Sequence, residues 1–257
     1  MPKFHDLSEY AATIGPVIDA VHVNVHASAR KEAAGLLPGF LTDLRFTLPV
    51  RPLTRRSLAT VYRYGDAAEL DAEIREHLDQ GTLEEAGDGA LRPTAKALAF
   101  IDWLYAMHAA TTERIWAGHD LQTLADLAGR VVDAAGADSG AEPGGDHGAE
   151  PGGDPSGDPG GEPGGAFAVM APPYEPVGTP AGVLLFNRLA ALRYHRADGH
   201  AAAWRAAGLT VAEIVALGPG PLRDRIERET NQRAATPYGA ITEHERALFH
   251  GGLLALV

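Results

Sequence analysis

Residues 81–94 read GTLEEAGDGALRPT, and this stretch decides the predicted fold. Two short segments flank the turn Gly87-Asp88-Gly89, and an Asp-Gly turn in that position is typical of a β-hairpin. Gly81 ends the preceding helix, because glycine readily adopts the left-handed conformation that follows many helices. Thr94 is a typical helix cap for the segment that follows. The stretch therefore predicts a helix, a hairpin and a second helix in succession.

Further helices are predicted on both sides of this hairpin. Thr54 can cap a helix over residues 57–64, and a turn at residues 65–66 separates it from a helix over residues 67–80. That second helix places three apolar side chains on one face at four-residue spacing: Leu70, Ile74 and Leu78. After the hairpin, an apolar stripe predicts a long helix that extends to Trp116.

The order of these elements over residues 53–118 resembles the MarR-like winged helix-turn-helix family. In that family the second helix ends in a glycine, a β-wing follows, and a Leu-Thr-like step opens the next helix. Gly81, the turn at residues 87–89 and residues 91–94 occupy those positions here. The resemblance implies a transcriptional regulator that lays its second helix in the major groove of double-stranded DNA. It covers about a quarter of the chain.

The whole chain is predicted to be mainly α with a small β-wing, and it divides into three parts. Residues 1–134 hold a helical N-terminus and the winged helix-turn-helix, with a kink or break expected at Pro16. Residues 166–257 form a helical domain, in which a turn is expected at Asp198-Gly199. The patterns at residues 210–213 and 242–245 are those of helix capping boxes.

Residues 135–165 separate these two parts and repeat an acidic residue followed by Pro and Gly. The segment has seven acidic residues and no Lys or Arg, and it contains almost no apolar side chains. Such a chain cannot bury enough surface to offset the entropy of ordering. We therefore expect a disordered acidic linker, with a partner-binding tract as the alternative.

Composition limits the remaining classes of function. The chain of 257 residues has no cysteine, which excludes disulfides and cysteine-ligated zinc. The formal net charge is −12, but seven of the negative charges lie in the acidic segment, so the rest is only mildly acidic. Because we find no signal peptide at the N-terminus and no apolar run long enough to span a bilayer, we expect a cytoplasmic protein without membrane contact.

Basic side chains near the predicted winged helix are the candidates for DNA contact. The residues in this set are Arg51, Arg55, Arg56, Arg63, Arg75, Arg92 and Lys96. Residues 66–79, which correspond to the groove-inserting helix, carry six acidic residues beside Arg75. Acids facing phosphates oppose binding, because affinity for DNA comes largely from neutralised phosphates. Taken singly, each of these basic residues is better interpreted as a solvated surface charge.

Residues 193–200, RYHRADGH, resemble a motif of an uncharacterised group of helix-turn-helix proteins, of the type Arg-Glu-His-Arg-Gly-Asp-Gly-His. Tyr194 and Ala197 depart from that pattern. Aromatic and polar groups between helices often line a ligand site. The candidates for such a site are Tyr194, His195, Asp198, His200 and Trp204. In the alternative, Arg193, Arg196 and Asp198 form ion pairs that tie the two parts together.

Three functions remain open from the sequence. The first is a homodimeric winged-helix regulator, without enzymatic activity or cofactor, that responds to a small-molecule effector. The second is a scaffold or small-molecule-binding protein with a degenerate winged helix that does not bind DNA. The third is a helical-bundle metal enzyme, in which His22, His26, His195 and His200 would supply ligands.

Overall fold

The computed structural model describes residues 6–33, 40–139 and 165–257, and within them the protein is mainly helical with one small two-stranded sheet. Before the acidic segment the helices are α1 (Leu7–Ala33), α2 (Phe40–Leu44), α3 (Arg55–Val61), α4 (Ala67–Asp79), α5 (Ala95–Ile115) and α6 (Leu121–Ser139). After it they are α7 (Gly165–Met170), α8 (Ala181–Ala206), α9 (Val211–Ala216), α10 (Pro221–Arg233), the 3₁₀ helix Thr236–Ala240 and α11 (Glu243–Leu254). None of the described helices is long and apolar enough to cross a membrane.

The predicted hairpin is present. Strand β1 (Leu83–Glu85) pairs antiparallel with β2 (Leu91–Pro93), in the register that sets Glu84 opposite Arg92. Leu53 adds one further bridge to Leu91 through two backbone hydrogen bonds of 3.0 and 2.6 Å. We call residues 53–115, which include α3, α4, the two strands and α5, the hairpin unit.

Helix caps appear where the sequence predicts them. Thr54 and Thr94 accept hydrogen bonds from backbone amides in the first turns of α3 and α5. Thr210 and Thr242 form full capping boxes at the starts of α9 and α11. A cap of this kind stabilises a helix end by about 1 kcal/mol, because it satisfies amides that have no partner inside the helix.

The main core combines helices from both sides of the acidic segment. Side chains of α1 and α6 are buried against α8 and the C-terminal helices, with Ile14, Val131, Phe186 and Phe249 all fully enclosed. A second cluster joins the hairpin unit to α7 and α8 through residues that include Met170. The helices before and after the acidic segment therefore share buried surface.

Residues 140–164, which hold most of the predicted linker, lie outside the described residues. Residues 135–139 and Gly165, which the sequence assigned to the linker, belong to α6 and α7 instead. Helix α6 continues because the Ala135 side chain is buried in the main core.

Two expected breaks in helices are wrong. Helix α1 continues through Pro16, which is exposed. A proline inside a helix destabilises it by about 3 kcal/mol. Burial of side chains on either side of the proline, Ile14 and Val17 among them, offsets this loss. Helix α8 continues through Asp198 and Gly199. Gly199 permits close packing instead of a turn, since a Cβ there would lie 3.3 Å from the Cβ of Arg233 on α10.

Candidate functional site

A cleft of about 440 Å³ opens between α1, α8 and α10. Tyr64, in the turn between α3 and α4, reaches it from the hairpin unit. The polar and aromatic residues that line the cleft are Asp19, Tyr64, Arg193, Arg196, His200, Arg223, Glu227, Thr230 and Tyr238. The cleft is thus the place where the hairpin unit, the N-terminal helix and the C-terminal helices meet.

The Tyr64 hydroxyl is held by two side chains of α8. The indole Nε1 of Trp204 donates to the Tyr64 oxygen at 3.2 Å, and the same oxygen lies 2.8 Å from Nδ1 of His200. Because the indole can only donate, the hydroxyl proton is free to point at His200. Burial raises the pKa of Tyr64 and lowers the pKa of His200. The pair is therefore a neutral hydroxyl beside a neutral imidazole at neutral pH.

Two arginines of α8 are fixed at the cleft by partners on other helices. Arg196 donates to Asn231 Oδ1 at 2.6 Å and to Glu227 Oε2 at 3.0 Å, both on α10. Arg193 donates to Asp19 Oδ1 on α1 at 2.6 Å. Arg223 also lines the cleft, which brings the number of arginines in the lining to three. The lining has only two carboxylates, those of Asp19 and Glu227, so the cleft has an excess of positive charge.

The residues predicted to bind a ligand are divided between the cleft and the interior. His200 lines the cleft, and Trp204 supports Tyr64 from behind. Tyr194 is partly buried, with its ring centroid 6.4 Å from that of Phe46, and this burial raises its pKa. His195 packs edge-on against Phe167, with ring centroids 5.5 Å apart, and burial lowers its pKa. Tyr194 and His195 therefore serve packing.

Asp198 forms a partly buried clamp with Arg63 instead of lining the cleft. Its carboxylate accepts hydrogen bonds from the amides of Ala166 and Phe167, at 2.9 and 2.7 Å, and pairs with Arg63. The Arg63 side chain is only 7% exposed, and its Nε also donates to a backbone oxygen of α3 at 2.8 Å. Gly165 leaves room for this carboxylate, because a Cβ there would lie 2.5 Å from Asp198 Oδ2.

Two of the arginines predicted to contact DNA are engaged inside the protein. Arg63 belongs to the clamp just described. Arg51 donates to backbone oxygens at the C-terminal end of α7, namely those of Ala168, Val169, Ala171 and Pro172. Burial lowers the pKa of Arg51. Neither guanidinium is available to a phosphate without loss of these bonds.

The other basic candidates lie on the surface beside acids or backbone oxygens. Arg55 pairs with Asp71 at 3.2 Å and Glu85 at 3.3 Å, and Lys96 donates to the backbone oxygen of Gln80 at 2.8 Å. Arg75 donates from Nε to the backbone oxygen of Asp71 at 3.2 Å. Arg56 and Arg92 are also exposed.

Helix α4 presents an acidic surface. Five of the six acidic side chains of the segment are exposed: Asp66, Glu69, Asp71, Glu76 and Asp79. Arg75 is the one exposed Lys or Arg of this helix, and His77 is buried. Contact of this surface with phosphates would bring like charges together.

The histidines predicted as metal ligands do not converge. His22 and His26 stack on each other along α1 with ring centroids 5.8 Å apart, whereas His195 packs on Phe167 and His200 faces Tyr64. Over the described ranges, no group of three or more His, Cys, Asp or Glu could hold a metal ion.

Comparison of the chain with models of protein families, with curated proteins and with solved structures finds no match.

The clamp allows a direct test by a double-mutant cycle. We expect Asp198→Ala to lower the free energy of unfolding by about 3–5 kcal/mol, since it leaves the buried guanidinium of Arg63 without a counter-charge. Removal of both charges in Arg63→Met with Asp198→Ala should cost less than the sum of the two single changes. Urea unfolding of the four proteins measures this coupling.

The matched control is Arg55→Met, which breaks exposed pairs and should cost about 1 kcal/mol or less. Strictly additive effects in the cycle, or an Asp198→Ala effect as small as that of the control, would contradict the assignment of a stabilising clamp.

Proposed function

We propose that this is a small-molecule-binding protein in which a degenerate winged helix-turn-helix, the hairpin unit, is packed on a helical core. The ligand binds in the cleft between α1, α8 and α10. The observation that carries the proposal is the convergence of Tyr64, Arg196, His200 and Glu227 on one opening of about 440 Å³. Ligand sites in proteins typically enclose about 300–1,000 Å³ and combine an apolar wall with a few fixed polar groups.

The lining favours a polar ligand that carries an acidic group. Three guanidinium groups face two carboxylates in the cleft, so one added negative charge improves the balance. Arg196 and Tyr64 are already held in place by protein partners, which reduces the entropy lost on binding. Ile18, Leu192 and Tyr238 supply apolar wall for the body of the ligand.

A ligand in the cleft would contact both parts of the molecule. Tyr64 is in the turn that joins α3 to α4, whereas its partners His200 and Trp204 are on α8. A ligand bound in the cleft would therefore stabilise the packing of the hairpin unit on α8. This change in packing is how the protein would respond to the ligand. Homodimerisation through α5 or the terminal helices stays a prediction.

The indole of Trp204 reports on the cleft. The chain has only three tryptophans, and the Nε1–H of Trp204 donates to Tyr64. We expect metabolite-sized carboxylic acids and phosphate esters that raise the melting temperature also to shift the Trp204 indole signal in a ¹H–¹⁵N spectrum. The substitutions Tyr64→Phe and Arg196→Met should each weaken binding about tenfold, which corresponds to about 1.4 kcal/mol.

The control for this experiment is Arg130→Met, which removes an arginine that pairs with Glu245 away from the cleft. The control should bind as the unchanged protein does. If stabilising compounds leave the Trp204 signal unmoved and bind Tyr64→Phe with unchanged affinity, the ligand site is not this cleft.

The second candidate is the DNA-binding regulator, and the antiparallel hairpin with exposed Arg92 favours it. The exposed acids of α4 oppose it, because that helix would have to enter the major groove. We therefore favour a ligand-binding protein that does not bind DNA over a DNA-binding regulator.

We expect no sequence-specific binding to fragments of its own genome in fluorescence anisotropy at low salt. Neutralisation of three exposed acids of α4 in Glu69→Gln, Asp71→Asn, Glu76→Gln should raise non-specific affinity about tenfold by reducing repulsion. Specific binding by the unchanged protein at physiological salt, lost in Arg92→Ala, would reverse this ranking and support the regulator.

A further inference from the structure

Two of the three arginines that line the cleft are already neutralised by carboxylates. Arg193 donates to Asp19 Oδ1 at 2.6 Å, and Arg196 donates to Glu227 Oε2 at 3.0 Å. These two pairs use both carboxylates of the lining. The excess positive charge of the cleft is therefore the charge of the third arginine, Arg223.

Arg223 is exposed at the start of α10. Its Nη1 donates to the backbone oxygen of Leu217 at 2.8 Å, which holds the guanidinium against the segment between α9 and α10. Within the described ranges, no carboxylate oxygen lies within 4.0 Å of this guanidinium. Most of the N–H donors of Arg223 are therefore open to a ligand, and their fork matches the two oxygens of a carboxylate.

The hydrogen bonds of Tyr64 determine which nitrogen of His200 carries the proton. The indole of Trp204 donates to the Tyr64 oxygen at 3.2 Å, and the hydroxyl proton then has His200 Nδ1, at 2.8 Å, as its acceptor. A neutral imidazole has one N–H, so an Nδ1 that accepts leaves the hydrogen on Nε2. His200, which lines the cleft, therefore presents an N–H donor at Nε2.

A gap between His200 and Glu227 fits one oxygen atom. His200 Nε2 lies 4.0 Å from Glu227 Oε1, which is too long for a direct hydrogen bond. Glu227 Oε1 accepts no hydrogen bond from the residues that the structure describes, because the bond from Arg196 goes to Oε2. An oxygen about 2.8 Å from both atoms would bridge them. It would have to accept from the imidazole and donate to the carboxylate. A hydroxyl does both, whereas an ammonium group can only donate.

The spacing on α10 limits how far apart the two groups of a ligand can be. Arg223 and Glu227 are four residues apart, so they lie on one helix face with their Cβ atoms about 5–6 Å apart. A carboxylate at Arg223 and a hydroxyl at the gap are therefore joined by a short carbon chain, as in 2-hydroxy and 3-hydroxy acids. Ile18 and Leu192 supply apolar wall for the rest of the ligand.

We propose that the ligand of the cleft is a hydroxycarboxylic acid, with its carboxylate on Arg223 and its hydroxyl between His200 Nε2 and Glu227 Oε1. This inference rests on the proposed function, since it concerns the same cleft. Tyr64 contributes by fixing the tautomer of His200, and so it acts as a positioning residue for the hydroxyl.

The experiment compares matched probes on the full chain by isothermal titration calorimetry. The hydroxy acids are mandelate, with a 2-hydroxyl, and 3-hydroxy-3-phenylpropionate, with a 3-hydroxyl. Each is matched by the acid without the hydroxyl, by the acid with an amino group in its place, and by its own uncharged amide. We expect at least one hydroxy acid to bind about tenfold or more tightly than all three of its matches, and to shift the Trp204 indole signal.

Variants separate the two parts of the site. Arg223→Met should weaken the hydroxy acid and its match without the hydroxyl equally, about tenfold, because it removes the partner of the carboxylate. His200→Phe and Glu227→Gln should each reduce the preference for the hydroxyl to about twofold or less, and this ratio cancels any general change in the charge of the cleft. The control is Arg228→Met, an exposed arginine of α10 outside the cleft, which should alter neither quantity.

Failure of both hydroxy acids to bind, equal or tighter binding of a matched compound, unchanged affinity in Arg223→Met, or a full hydroxyl preference in both His200→Phe and Glu227→Gln would each overturn the proposal. The Trp204 signal distinguishes this failure from that of the proposed function. If only acids without a hydroxyl shift it, the ligand site stands and the hydroxy acid is wrong. If no acid shifts it, both are wrong.

Discussion

The packing of α8 against helices from both sides of the acidic segment is the constraint on which the rest of the structure depends. The first half of α8 is buried against α5 and α6, and Gly182 approaches α5 so closely that a Cβ would meet Thr112 Oγ1 at 2.4 Å. The second half packs on α10 and α1. Ala135 and Ala166, which lie at the two ends of the acidic segment, are both buried.

The charges of the molecule are distributed so that different regions suit different roles. Two arginines serve structure, since the buried side chain of Arg63 is neutralised by Asp198 and the partly exposed Arg51 is satisfied by backbone oxygens. Partly exposed arginines of α8 meet α1 and α10 at the cleft, where a ligand can reach them. The surface of α4 is acidic, and this opposes contact of the helix with the phosphates of a nucleic acid.

Local features were predictable from the sequence, and features that depend on distant contacts were not. The hairpin, the caps at Thr94 and Thr242 and the acidity of α4 each arise from neighbouring residues, and the structure confirms them. Local rules failed at Pro16 and at Asp198-Gly199, because tertiary packing there outweighs propensity. Of the residues predicted to bind a ligand, His200 lines the cleft, whereas Tyr64, which also lines it and lies 136 residues from His200 in sequence, was not among them. The sequence pattern that could have indicated the cleft is a four-residue spacing. It separates Arg196 from His200 and Arg223 from Glu227, and it puts each pair on one helix face.

Cooperative unfolding tests the central role of α8 most directly. Trp116 reports the main core before the acidic segment and Trp204 reports the end of α8, so single-tryptophan proteins can follow each region alone. Urea denaturation of each single-tryptophan protein is followed by its fluorescence. Circular dichroism of the same proteins corrects for the effect of the substitutions on stability. After this correction the two tryptophans should give the same unfolding midpoint, because both regions share buried surface with α8. Two separate transitions, with the Trp204 region unfolding while the Trp116 region stays folded, would contradict the account.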